Sequence, residues 1–184
     1  MTSYKWWLLI AVLLFSTGLI MGLITPGDLS DIPAEELAAL EDLADLLATL
    51  PKTSVFVIIF FKNVSALLIS FLLSPLFYLV PVMALTFNGW LVGFLSATVL
   101  QEKSLGYLLA GLLPHGIFEL PAFIIGEAAA LSFATTLILA LLKKDRRNLV
   151  LPNFKRSLRY LTIAFVLLLP AAIIETYITP LFLK

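Results

Sequence analysis

Four apolar stretches divide this chain, and the second and third are longer than a single membrane helix requires. The first runs from Trp6 to Ile24 after Lys5. It has no small-x-small cleavage pattern at its end and further spans follow it, so it reads as an uncleaved membrane helix rather than a signal peptide. From Thr53 to Leu100 there is room for two spans, roughly 54–74 and 76–99. They part at Ser74-Pro75, because a proline there punctuates the helical pattern. The third stretch, Leu105 to Leu142, is 38 residues long. Helical throughout, it would reach about 57 Å, where one span needs about 20 residues. The last run covers about Tyr160 to Phe182.

Between the first two stretches the polarity reverses. Residues 25–53 hold seven Asp or Glu and one Lys. Within them Leu37, Leu40, Leu43, Leu47 and Leu50 recur at three- and four-residue steps, opposite Glu35, Glu41, Asp42 and Asp45. That pattern predicts a short amphipathic helix over about 34–50, bracketed by Pro33 and Pro51. It either lies on the bundle or at the membrane interface, or offers a docking face for a partner.

Composition settles the class. With 61% hydrophobic and 13% charged residues, the chain reads as an integral membrane protein, an all-α polytopic helix bundle. Its 184 residues suit a single membrane domain, 1–184, with no room for a second soluble one. The absence of cysteine excludes disulfides, thiolate metal sites and a cysteine nucleophile.

Charge then predicts orientation. The segment 143–159 carries seven Lys or Arg against one Asp and belongs in the cytoplasm with the amino terminus. The acidic helix and the carboxyl terminus belong outside. Basic residues beside a span are topology determinants and anionic-lipid contacts rather than a nucleic-acid site. Counting crossings under these constraints requires an odd number between residues 103 and 143. Three do not fit in 38 residues, so the sequence predicts five crossings plus a re-entrant or broken helix around 105–121. The breakers Pro114, Gly116 and Pro121 sit where such a turn is needed.

That same segment carries the chemistry. His115 is the only histidine, and Glu119 follows it by one helical turn, so the two share a face wherever the helix is continuous. Other spans place Lys62, Asn63, Asn88-Gly89 and Glu175 at similar depth. A charged side chain at mid-membrane costs at least about 2.5–3.5 kcal/mol, so these groups are expected to share one interior. The predicted intramembrane polar cluster is Lys62, Asn63, Asn88, Gly89, His115, Gly116, Glu119 and Glu175, with Lys62 as counter-charge to a glutamate. Plainer roles stand beside this one. His115 can satisfy carbonyls loosened by a kink, Lys62 can snorkel, and Glu127 can belong to the outer interface. Gly89, Gly93, Gly106, Gly111, Gly116 and Gly126 are read as points of close backbone approach. His-x-x-x-Glu is a weak metal signal beside HExxH-type motifs, and neither these nor a glycine-rich phosphate loop is present. No catalytic, cofactor-binding or metal-ligating residue is therefore assigned.

Four stretches together resemble the stage II sporulation protein M family. They are "FFKNVSALLI", "LTFNGWLVG", "PHGIFELPAFIIGEAAAL" and "AAIIETYITPLF". The chain departs from the family pattern after Ile125, where Glu127 intrudes and Ala129-Ala130 stand in place of a glycine. The resemblance implies a membrane scaffold that, in spore formers, holds cell-wall-degrading enzymes together. The expectation is thus a non-catalytic scaffold organising partner proteins at the cell envelope, in contact with membrane lipids and associated with itself or an envelope protein. A small-solute or ion/proton-coupled transporter or channel using the polar cluster is the alternative, and an intramembrane enzyme the third.

Overall fold

The computed structural model describes residues 4–25, 46 and 49–182. The acidic segment 34–50, with its predicted docking stripe, lies almost wholly outside them. Five helices long and apolar enough to cross a membrane make up the fold. They are α1 (Tyr4–Ile24), α2 (Lys52–Leu73), α3 (Leu79–Glu102), α4 (Leu105–Leu142) and α5 (Val150–Ile173). Helix is what a span must adopt, because lipid offers no partner for a free N–H or C=O. α1, with 21 residues, reaches about 32 Å, close to the thickness of a hydrocarbon core.

The re-entrant turn expected over 105–121 is absent. α4 is one unbroken helix of 38 residues containing Pro114 and Pro121. Each proline removes a single N–H, leaving the carbonyl four residues earlier (Ala110 and Ile117) without its helical donor. A turn inside the membrane would free many more groups, and continuity is the cheaper solution. The crossing number nonetheless stays at five, because the excess length of the third stretch is taken up within one helix. Ser104 starts α4 as its N-cap, its Oγ accepting from the Tyr107 N–H at 3.2 Å.

α4 is also the centre of the bundle. Gly126 through Ser132 are all buried, which is two turns enclosed on every side rather than on one stripe. The residues are small there, Ala128, Ala129 and Ala130 being at most 1% exposed, so neighbouring helices approach closely. α5 packs antiparallel along α4, and it begins about ten residues before the span predicted from Tyr160. Residues 144–149 form a 3-10 turn and α5 is helical from Val150. Phe154, in this added stretch, packs on Phe71 and Phe133 with ring centroids 6.3 and 5.2 Å away. That contact, together with buried Asn153 and Ser157, holds the basic segment on the bundle instead of in a loop.

α1 and α3 form the tightest pair. Gly18 and Gly22 face α3, and Gly89 and Gly93 face α1. A methyl group added at Gly18 would collide with the Thr86 carbonyl, and one at Gly22 with that of Trp90. Added at Gly89 or Gly93 it would strike the carbonyls of Phe15 or Leu19. Residue numbers rise together along both helices, so the pair is parallel and joined through two GxxxG motifs. Gly89 and Gly93 thus behave as close-approach points, and so does Gly126, where an added Cβ would lie 2.9 Å from the Leu67 side chain. Gly106 and Gly116 do not: the nearest atoms to a Cβ built there are Ser104 Oγ at 3.7 Å and Leu112 Cγ at 4.0 Å, both local.

Candidate functional site

Continuity of α4 decides the geometry of the site. With no break between them, His115 and Glu119 sit one turn apart on the same face, Nε2 to Oε2 at 3.9 Å. Both look into a cavity of about 230 Å³ to which all five spans contribute. Lys62 and Asn63 enter from α2, Asn88 from α3, and His115, Gly116 and Glu119 from α4. Phe15 of α1 and Leu168 of α5 supply apolar wall. Lys62 and Asn88 are exposed and mark the open side, whereas Asn63, His115 and Glu119 are half-buried.

Hydrogen bonds fix part of this arrangement. The Asn63 amide donates to Glu119 Oε1 at 3.0 Å, tying α2 to α4. His115 Nδ1 lies 3.4 Å from Thr179 Oγ1, tying α4 to the closing turn of the chain. Asn88 turns back onto its own helix and donates to the Ala84 carbonyl at 2.8 Å.

Glu175 reaches the same place by a different device. α5 passes at its end into a π-helical turn, Ile174–Ile178, before a last α-turn, Thr179–Phe182. Within it the Thr179 N–H reaches back five residues to the Ile174 carbonyl. The wider turn brings Glu175 beside His115 and Glu119, with one potential ligand atom from each of the three lying within 4.8 Å of the others. Such turns recur where a helix must aim a functional group.

Of the eight residues predicted to cluster, Lys62, Asn63, Asn88, His115, Gly116 and Glu119 line one cavity, and Glu175 adjoins it through His115 and Glu119. Gly89 stands apart in the α1–α3 crossing. Lys62 makes no ion pair among the described residues, so the pairing expected with a glutamate is not formed. Glu127 is not at the outer interface: it is 1% exposed and accepts from the Ser70 hydroxyl at 2.6 Å. Glu127 and Ser70 form one separate polar contact on α4 and, further along it, Asn153 donates to Ser132 at 3.1 Å and Ser157 to Asn153 at 3.2 Å in another polar group. Sequence reasoning missed this group; the serines at 132 and 157 and Asn153 in apolar or basic surroundings were its only signal. It also missed Gly18 and Gly22, although their four-residue spacing within an apolar run was visible.

With that geometry in place, comparison with known proteins is informative about kinship. The profile of a family described as Stage II sporulation protein M matches residues 11–180. An uncharacterized protein of Methanocaldococcus jannaschii is 32% identical over 174 residues, which make up 94% of this chain and 93% of that one. No solved structure matches the chain. Neither description names a catalytic activity.

Proposed function

The chain belongs to the stage II sporulation protein M family and is a multi-pass membrane protein, and from that premise we propose that it binds a small polar solute or ion within its membrane domain, as a transporter or channel does. The observation that carries this reading is the cavity itself. Ionisable groups are costly inside a membrane and are kept there for a purpose; here Lys62, His115 and Glu119 converge on one space instead of being dispersed over separate helix faces. A polar site near mid-membrane at the junction of several helices is the arrangement substrate-binding membrane proteins use, and the helix irregularity that shapes it is the π-turn at Glu175 rather than a broken α4.

Water access tests it. The chain has no cysteine, so single cysteines report without background. Ala66 lines the cavity and Ile69, one turn along the same helix, is exposed on the outside of the bundle. Ala66→Cys and Asn88→Cys are expected to react with a hydrophilic, membrane-impermeant thiol reagent at least about tenfold faster than Ile69→Cys, which faces lipid. Equal and slow reaction at all three positions would mean a sealed cavity and an end to the transport reading. The scaffold alternative rests on the family resemblance and has its docking face in 34–50, almost wholly outside the described residues. Deleting 34–50 separates the two: a scaffold loses its partner, whereas cavity labelling persists in a solute-binding protein.

A further inference from the structure

Two side chains on the wall of the cavity and a third beside them have a chemistry that a generic polar site does not require. We propose that His115, Glu119 and Glu175 bind a divalent transition-metal cation, an inference that rests on the cavity being a binding site and names what it binds. The three ligand atoms already lie within 4.8 Å of one another, and the His115 Nε2 to Glu119 Oε2 distance is 3.9 Å. Metal–ligand bonds of about 2.0–2.2 Å place neighbouring donors about 3.4 Å apart in a tetrahedral site. The His115–Glu119 pair therefore closes with a shift of about 0.5 Å, within the reach of small side-chain adjustments.

Two further contacts distinguish this group from a chance gathering of acids. Asn63 holds Glu119 by Oε1, leaving Oε2, the oxygen that faces His115, free for a metal. Thr179 lies at His115 Nδ1; with Nδ1–H donating to its hydroxyl, the lone pair of Nε2 is directed at Glu119. Metal-bound histidines and carboxylates are held in this way by a partner on the far atom. The π-turn supplies both Glu175 and, at its end, Thr179, so a single irregularity in the last helix brings a ligand and a supporting group. Two carboxylates stand beside one imidazole, and the cavity's only ammonium makes no ion pair with them among the described residues. One nitrogen and several oxygens, with no sulfur, suit Zn²⁺, Fe²⁺ or Mn²⁺, and an imidazole disfavours Ca²⁺ and Mg²⁺.

Lys62 supplies a test whose sign a damaged fold cannot imitate. It shares the cavity and repels an incoming cation, so its removal strengthens binding. The full chain, carrying an affinity tag without histidine, is stripped with chelator in detergent and titrated with Co²⁺, whose visible absorption reports ligation, then with Zn²⁺ and Ca²⁺ in competition. The wild type is expected to bind one Co²⁺ per chain, displaced by Zn²⁺ and not by Ca²⁺. Glu175→Gln and His115→Ala abolish the spectrum, while Asn63→Ala and Thr179→Val weaken binding by about 10–100-fold. Lys62→Met tightens it severalfold, and Glu127→Gln, in the separate polar contact, leaves it unchanged. No Co²⁺ uptake by the wild type, or affinity indifferent to both Glu175→Gln and Lys62→Met, overturns the proposal. Thiol labelling at Ala66 keeps the two ideas separable. A wet cavity without metal sinks only this inference, and bound metal in a sealed cavity sinks only transport.

Discussion

Glu127 shows at the residue scale what an ionisable group needs in order to be kept in a bundle core. Its carboxyl is almost fully enclosed and the Ser70 hydroxyl is its one hydrogen-bond partner among the described residues. Removing that donor leaves a buried polar group unsatisfied, a cost of about 1–3 kcal/mol. Ser70→Ala is therefore expected to destabilise the wild type by that amount and to do little in a Glu127→Leu background. A double-mutant cycle read by unfolding in detergent checks this, and equal costs in the two backgrounds would show that the contact carries no coupling. From sequence, Glu127 was placed at either the outer interface or the interior, because its depth depended on whether α4 folded back. Lys62, Asn63 and Asn88 were easier, since each sits near the middle of a short span whose ends are plain. Gly89 was read both as a close-approach point and as a member of the polar cluster, and only the first holds, since the glycine serves the helix crossing.

At the scale of elements, periodicity showed the five spans and turn residues their limits, but two features of the helices had no sequence signature strong enough to read. The expectation of a turn followed from the 38-residue length of the third stretch and the crossing count, with Pro114, Gly116 and Pro121 locating it. In a membrane the backbone groups released by a turn cost more than the two lost N–H donors, so α4 continues and His115 and Glu119 stay in register. The π-turn at Ile174–Ile178 is the second case; nothing in "IETYI" announces an added residue in the turn, and Glu175 was placed only by its approximate depth. The α1–α3 crossing yields a sharp prediction. Gly18→Ala and Gly89→Ala force backbones apart and are expected to cost about 1–3 kcal/mol or more. Gly106→Ala, whose added methyl meets nothing closer than 3.7 Å, should fall within about 0.5 kcal/mol of wild type. Comparable losses at all three sites, measured by thermal unfolding in one detergent, would remove the close crossing from the account.

Over the whole molecule, the charge pattern and the unbroken α4 make a joint statement about sidedness. Lys103 precedes α4 and Lys144 follows it, with a single crossing between them. We expect Lys103→Cys to be labelled from outside intact cells and Lys144→Cys only after the membrane is opened, as the lysine–arginine bias predicts. Labelling of both from one side would mean that α4 does not cross. Five spans were legible because hydrophobicity acts locally along the chain. That Glu175 shares an interior with His115 was expected from depth alone; the turn that aims it there was not legible, because only the packed bundle selects it.

The parallel joint between α1 and α3 bears, finally, on how the protein is made. Its two halves are separated in the sequence by α2, which must cross the membrane in the opposite direction first. During synthesis, Gly18 and Gly22 therefore wait against acyl chains until the ribosome has delivered Gly89 and Gly93, and only then do the two grooves meet. A nascent chain halted before Phe94 holds an unmatched notch in its first span.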